Sequence, residues 1–215
     1  MIGIVVGLQA EAVIARRLGW PVAVGGGGFA GALDAAKRLL VEGATAFVSF
    51  GLAGGLRPGL SAGTIIVPAW IVGHDGTRHS VNFDLASQFG PVSGTLFAAR
   101  CVIGTVSAKA EAWRATQADA IDIETAAVLD VATGRPVAVL RAVCDPAERD
   151  LSAAALNALT ARGRIDVGSV MWSVARRPGQ IGGLIELARD AGAARKALLD
   201  RVQTVGPLKD VPIGG

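Results

Sequence analysis

Residues 2–18, IGIVVGLQAEAVIARRL, decide the fold class of this chain. Residues 2–6 form a short β-branched run that Gly7 closes, and such a run suits a buried strand better than a helix. Residues 11–18 then have the composition of a helix. A buried strand followed directly by a helix is the unit from which α/β proteins with parallel sheets are built.

The same alternation continues along the chain. A second apolar run at 20–24 ends in four glycines at 25–28, and residues 30–40 follow with apolar positions at helical spacing. Further strands are predicted at 45–50, 64–72, 101–106, 120–123 and 136–140, a turn at 51–55, and a loop without periodicity at 73–93. We therefore expect an α/β fold with a largely parallel sheet.

The pattern changes after Asp145, where only helices are predicted, at 165–176 and 180–202. We accordingly divide the chain into an α/β domain at 1–150 and a helical extension at 151–215 that packs on the same domain. Residues 1–150 carry 12 basic and 13 acidic side chains, whereas residues 151–215 carry 9 and 5. The basic excess of the extension indicates either a solvated helix face or contact with an anionic membrane surface.

Composition excludes several classes of protein. The chain has 215 residues, 51% of them hydrophobic, and a net charge of +3, which excludes a disordered chain and gives no argument for nucleic-acid binding. The uncharged stretches at 43–56 and 58–74 contain glycine and proline and are too short to predict a membrane span, and no basic segment precedes the first strand as in a signal peptide. Cys101 and Cys144 lie in apolar runs and are predicted to be reduced core residues of a cytosolic protein.

Ligands of open α/β sheets collect at the carboxyl ends of the strands, which selects the glycines at 25–28 and 51–55 and three acids, Glu11, Glu124 and Asp145. Glu124 stands where an apolar strand becomes a helix, so it either faces a ligand hydroxyl or stabilises the helix N-terminus. Asp145 ends an apolar strand, so it is either a desolvated general acid with a raised pKa or the start of an Asp-Pro turn.

Two other motifs have plainer interpretations. Gly26, Gly28 and Gly31 match the GxGxxG pattern of dinucleotide-binding proteins, but the next strand lacks the acid that would hold the ribose, which favours a tight turn with close helix packing over an NAD enzyme. His74 and His79 have no second ligand pair at a suitable spacing, so no metal site is predicted.

Five segments, in this order, resemble the nucleoside phosphorylase and methylthioadenosine/S-adenosylhomocysteine nucleosidase superfamily over residues 2–148. IGIVVGLQAEA is similar to the first strand and acid-bearing helix of the family, and GGGGFAGALDAAKRLL to its glycine turn and helix. SFGLAGGLRPGLSAGTIIVP resembles its strand and G-x-A-G-G-L turn, AIDIETAAV its V-E-M-E-A-x-A motif, and LRAVCDPAE its R-A-I-S-D motif.

This resemblance implies a three-layer α/β/α sandwich with a mostly parallel mixed sheet that cleaves the N-ribosidic bond of a nucleoside without a cofactor or metal. Glu11 then falls on the acid that activates water, Glu124 on the Glu that holds the ribose hydroxyls, and Asp145 on the acid that protonates the leaving base. The resemblance also implies a homo-oligomer. The further residues that it places at the substrate are Ile123, Leu52, Ala53, Gly54 and Arg141, with Gly26, Gly27 and Gly28 as an anion site.

Relatives that use phosphate resemble one another in having an Arg and a Ser that bind the anion. This chain has Ser49 and Leu52 at those two positions, so we expect hydrolysis in preference to phosphorolysis. The negative charge of Glu11 also repels phosphate and suits water. A nucleoside or lipid carrier without catalytic activity is the alternative on the same fold.

A narrower resemblance is to the hopanoid-associated phosphorylase-like proteins, through GLAGGL, IDIE and the phrase ARRPGQ at 175–180. It implies adenosylhopane as the substrate, an adenine nucleoside with an apolar 5′ substituent, and a cytoplasmic protein that touches the inner membrane. The apolar residues expected to line a channel for that substituent are Ile165, Val167, Val170, Met171, Trp172 and Val174.

Overall fold

A computed structural model describes residues 1–151 and 181–210 of the protein. The strands are β1 (Ile2–Val6), β2 (Val22–Val24), β3 (Ala46–Gly55), β4 (Ile65–Ile66), β5 (Trp70–Gly73), β6 (Arg78–Ser80), β7 (Thr95–Ala98), β8 (Ala120–Asp122) and β9 (Val137–Asp145). The helices are α1 (Gln9–Ala15), which continues as a 3₁₀ turn (Arg16–Leu18), α2 (Phe29–Val41), α3 (Phe83–Ser87), α4 (Val106–Thr116), α5 (Glu124–Ala132) and α6 (Ile181–Val205).

The strands form one mixed sheet whose main order is β2-β1-β3-β8-β7-β5-β6, while β9 pairs with β3 and β4. Five strand pairs are parallel, β1 with β2 and β3, β3 with β9, and β7 with β5 and β8. Three are antiparallel, β3 with β8, β4 with β9 and β5 with β6. The predicted α/β fold with a largely parallel sheet is therefore confirmed.

Two groups of helices cover the sheet. Helix α2 packs on α5 and on β1 and β2, and α6 packs on α1, β3 and β9. β1 is buried along its whole length, because both faces of the sheet are covered there. Ala194, Leu198 and Val202 of α6 belong to the same hydrophobic core as β1 and β3. The domain boundary at residue 150 stays a prediction.

Several predicted elements were wrong in extent or type. The predicted turn at 51–55 is the second half of β3, because β9 runs beside this segment and pairs with it as far as Gly54. The predicted strand at 64–72 is two strands, β4 and β5, with Pro68 between them. The predicted loop at 73–93 contains β6 and α3, and the Asn82 side chain caps α3 by accepting a hydrogen bond from the Leu85 N–H at 2.9 Å.

The predicted strand at 101–106 is also wrong. The strand lies earlier, at Thr95–Ala98, and Thr105 caps α4 by accepting a hydrogen bond from the Ala108 N–H at 3.2 Å. Cys101 consequently lies in a loop and is exposed, so it is not a core residue, while Cys144 is half-buried. The predicted helix at 165–176 lies outside the described residues, whereas α6 confirms the described part of the helix predicted at 180–202.

The GxGxxG match has a packing explanation. A Cβ added at Gly31 of α2 would lie 1.7 Å from the Gly25 carbonyl oxygen, so this turn and α2 approach each other as closely as backbones can. The interpretation as a tight turn with close helix packing fits the structure, and it needs no dinucleotide.

We expect Gly31→Ala to lower the free energy of unfolding by at least about 2 kcal/mol, because the new methyl group meets backbone that cannot move aside cheaply. The matched control is Gly192→Ala in α6, where a Cβ has no atom within 4 Å. That variant should gain about 0.5 to 1 kcal/mol from helix propensity. Denaturant unfolding of both variants measures the difference, and equal stabilities would contradict the packing explanation.

Candidate active site

The three predicted acids meet at one end of the sheet. Glu11 lies in α1 directly after β1, Glu124 is the first residue of α5 after β8, and Asp145 is the last residue of β9. The end of β3 lies between the last two, because Gly54 pairs with Asp145 of β9 and with Ile121 of β8. All three carboxylates are buried, with 3%, 8% and 7% of the residue exposed, respectively.

Glu11 is held by two backbone N–H groups. Its Oε2 accepts a hydrogen bond from Leu8 at 2.7 Å, and its Oε1 accepts one from Leu52 of β3 at 2.9 Å. Burial and the nearby charge of Glu124 nevertheless raise the pKa of Glu11 to about 7. A carboxylate with this pKa can take a proton from water near neutral pH, which is the requirement for a general base.

Glu124 faces Glu11 across Gly7. A Cβ at Gly7 would lie 2.5 Å from Glu124 Oε1 and 3.4 Å from Glu11 Oε2, so a side chain at this position would occupy the space between the two carboxylates. Glu124 also stands in the first turn of α5, where the helix dipole favours its negative charge. Its two proposed roles, helix stabiliser and ligand contact, are therefore compatible in this geometry.

Arg141 of β9 contacts Glu124 and a further acid, Asp122, and is 1% exposed. Its guanidinium forms ion pairs with Asp122 and, at 3.3 Å, with Glu124, and it donates to the hydroxyl of Ser49 at 2.6 Å. Burial raises the pKa of Asp122 to about 6 although the charge of Arg141 acts against that rise. Arg141 therefore supports the buried carboxylates in this structure, and its predicted substrate contact stays a prediction.

Gly51 is the residue that lets Arg141 and Glu11 come together. Its φ of +151° favours glycine, and a Cβ there would lie 2.7 Å from both Arg141 Nη1 and Glu11 Oε1. The glycine-rich segment of β3 therefore gives room to charged side chains that reach in from β9 and α1.

Asp145 forms an ion pair with a buried lysine. Lys109 of α4 is fully buried, and its Nζ lies 2.6 Å from Asp145 Oδ2. Burial raises the pKa of Asp145 above its ordinary value, and Lys109 acts against that rise. This direction agrees with the first of the two interpretations of Asp145, which stays a prediction, and the lysine was not foreseen.

The remaining predicted contact residues differ in their placement. Ala53 is buried beside the site, while Leu52, Gly54 and Ile123 are half-buried there. In the anion site predicted at Gly26, Gly27 and Gly28, the Gly26 N–H donates to the Gly7 carbonyl at 2.9 Å, and anion binding there stays a prediction. Among the described residues, no three acidic, His or Cys side chains are grouped as metal ligands.

The sequence reasoning overlooked three polar residues of this site, and two of them carried a signal. Asp122 is an acid within an apolar strand, and Lys109 shares the inward face of α4 with Ala112. A charged residue on a buried face calls for a partner of opposite charge. Thr125 carried no such signal; its hydroxyl lies 2.6 Å from Asp122 Oδ2 and 2.9 Å from Ser49 Oγ.

Comparison with known proteins supports the fold and part of the family resemblance. Residues 9–102 match the sequence model of the phosphorylase superfamily, a region that holds Glu11 and both glycine segments but neither Glu124 nor Asp145. No curated protein sequence matches the chain.

Solved structures share the fold over nearly the whole chain. One is a mutant 5′-methylthioadenosine/S-adenosylhomocysteine nucleosidase of Helicobacter pylori with 5′-methylthioadenosine in its active site, at 17% identity over 94% of this chain and 98% of that chain, with a TM-score of 0.64. A second is futalosine hydrolase of H. pylori, at 17% identity over 94% and 97%, with a TM-score of 0.64. A third is a nucleosidase of the first kind from Colwellia psychrerythraea in complex with adenine, at 16% identity over 95% of both chains, with a TM-score of 0.65. These similarities confirm the expected nucleoside phosphorylase-like α/β fold.

We expect the buried Glu11 to make stability depend on pH. Between pH 4.5, the ordinary pKa, and about 7, the native protein binds more protons at Glu11 than the unfolded chain does. The free energy of unfolding therefore falls as the pH rises through this window, by about 3 kcal/mol from this group. Glu11→Gln should remove that part of the fall.

Denaturant unfolding from pH 4 to 8 measures this effect, with Glu42→Gln as the control, since Glu42 is exposed. The control should keep the slope of the unaltered protein. A Glu11→Gln slope equal to that of the control would contradict the raised pKa.

Proposed function

We propose that this protein belongs to the phosphorylase superfamily and hydrolyses the N-ribosidic bond of an adenine nucleoside, with adenosylhopane as the best candidate substrate. The observation that carries the proposal is the meeting of Glu11, Glu124 and Asp145 at one end of the sheet, all three buried. Breaking an N-ribosidic bond creates positive charge on the sugar and negative charge on the base. Carboxylates around the sugar stabilise the positive charge, and a proton donor at the base neutralises the negative charge.

In the proposed reaction the C1′–N9 bond breaks and its electron pair goes to the purine. Asp145 gives a proton to the purine N7, so adenine leaves as a neutral molecule. Water adds to C1′ and gives its proton to Glu11, while Glu124 accepts hydrogen bonds from the ribose hydroxyls. A proton then passes through solvent from Glu11 to Asp145, and the site is restored.

The support for water as the nucleophile comes from the groups around Glu11. The Leu8 and Leu52 N–H groups, which could otherwise hold an anion, both donate to the Glu11 carboxylate. The Ser49 hydroxyl is fully buried and hydrogen-bonded to Arg141. A phosphate would therefore meet the charge of Glu11 without finding free donors at these positions.

The adenosylhopane part of the proposal is supported by the sequence resemblance in GLAGGL and IDIE. The phrase at 175–180 and the apolar residues expected to line a channel lie outside the described residues. No helix among the described residues is long and apolar enough to cross a membrane. Contact with the membrane surface and assembly into a homo-oligomer stay predictions.

We expect Asp145→Asn to slow adenine release by at least about 100-fold while the nucleoside still binds, because an amide cannot supply the proton. Asp130→Asn is the control, since Asp130 pairs with Arg100 on the surface at 2.9 Å. Single-turnover adenine release, with binding of an uncleavable analogue measured in parallel, separates chemistry from affinity. An unchanged rate of adenine release by Asp145→Asn would show that Asp145 takes no part in the reaction.

We expect free ribosyl product, and no ribose-1-phosphate, when the pure protein is incubated with adenosine, methylthioadenosine or adenosylhopane in phosphate buffer. Adenine and sugar phosphate are measured separately, with phosphate-free buffer as the control. A phosphorylated sugar that accumulates only with phosphate would show phosphorolysis instead. If the protein releases adenine from none of the three nucleosides, the remaining interpretation is a nucleoside or lipid carrier without catalytic activity.

A further inference from the structure

Lys109 is an unusual residue for the interior of an α/β protein. It is fully buried, and its ammonium has three acceptors, Asp145 Oδ2 at 2.6 Å and the carbonyl oxygens of Pro146 at 2.9 Å and Arg149 at 2.8 Å. An ammonium has three N–H donors, so every one of them is used. This complete coordination accounts for the burial of the lysine.

The three acceptors also show what Lys109 holds in place. They all belong to the end of β9 and the turn that follows it, so a side chain from α4 fixes the segment that carries Asp145. Asp145 Oδ2 is committed to the ammonium, and none of the described hydrogen bonds uses Asp145 Oδ1. The second oxygen is therefore the one that a base could meet.

The other charged and titratable groups near Asp145 do not replace Lys109. The Arg149 guanidinium forms an ion pair with Asp190 of α6 on the partly exposed side. Burial raises the pKa of the Cys144 thiol to about 12, so this neighbour is neutral. Glu148 points away to accept a hydrogen bond from the Gly59 N–H at 2.7 Å.

We propose that Lys109 is the positioning residue of Asp145: it holds Oδ2, leaves Oδ1 to the base, and sets the pH above which Asp145 no longer carries the proton that base release needs. This inference rests on the proposed function for the role of that proton. The contact between Lys109 and Asp145 is independent of it.

The sign of the effect follows from the charge. An ammonium beside a carboxylate favours the ionised form, so Lys109 acts against the rise that burial causes in the pKa of Asp145. Without that charge Asp145 keeps its proton to higher pH. The alkaline limb of the pH profile of kcat/KM for adenine release therefore shifts to higher pH. A lysine that served only packing would change stability and the height of the profile, and it would leave the position of the limb unchanged.

The test uses Lys109→Met, which keeps the length of the side chain without charge, and Lys109→Gln, which also keeps an N–H donor for the turn. Lys196→Met is the matched control, because it removes an exposed lysine paired with Asp200 at 2.6 Å. We expect the alkaline limb to move up by about one pH unit or more in both Lys109 variants, the size typical of losing one close opposite charge. A limb that stays in place in either folded variant would overturn the inference.

A second measurement needs no activity. The side-chain carboxyl ¹³C resonance of Asp145, assigned by its loss in Asp145→Asn, should titrate at a higher pH in Lys109→Met than in the unaltered protein. An Asp145 that titrates at the same pH in both proteins would overturn the inference, whatever the kinetics show. If the protein releases no adenine, the proposed function fails, and this comparison still decides whether Lys109 acts on the titration of Asp145.

Discussion

The burial of four acidic side chains at one end of the sheet is the constraint on which the rest of the site depends. Isolated carboxylates cannot be buried at acceptable free energy, so each must find a cation or a set of hydrogen bonds. Two backbone N–H groups meet this need for Glu11, and two buried cations meet it for the other three acids. Arg141 of β9 forms ion pairs with Asp122 and Glu124, and Lys109 of α4 forms an ion pair with Asp145.

The two cations divide the site into halves of different character. Around Arg141 the carboxylates outnumber the positive charge, and burial raises the pKa of Glu11 to about 7 and of Asp122 to about 6. This half suits a site that receives positive charge on a sugar. Around Lys109 one carboxylate faces one ammonium, which suits the control of a single proton. The pairing of β3 with β9 joins the halves, since β9 carries both Arg141 and Asp145.

The sequence predicted those features that depend on local pattern. The run at 2–6 and the acids at strand ends needed only periodicity and position, so β1, α2 and the meeting of Glu11, Glu124 and Asp145 could be expected. Features that depend on a distant partner could not be expected in the same way. The segment at 51–55 looks like a turn because of its glycines, and it is a strand because β9 lies beside it. The helix face that Lys109 shares with Ala112 indicates burial, but it does not identify the partner, Asp145, which lies 36 positions further along the chain with its Oδ2 at 2.6 Å from Lys109 Nζ.

The contact between the turn after α1 and the segment after α6 has a consequence for the order of folding. The Leu208 N–H donates to the Leu18 carbonyl at 3.0 Å, and the Trp20 indole donates to the Leu208 carbonyl at 2.9 Å. The turn that ends the Glu11 helix is thus held by a residue 188 positions beyond Trp20. Contacts of such long sequence separation form slowly, so we expect this turn to reach its native contacts late in folding.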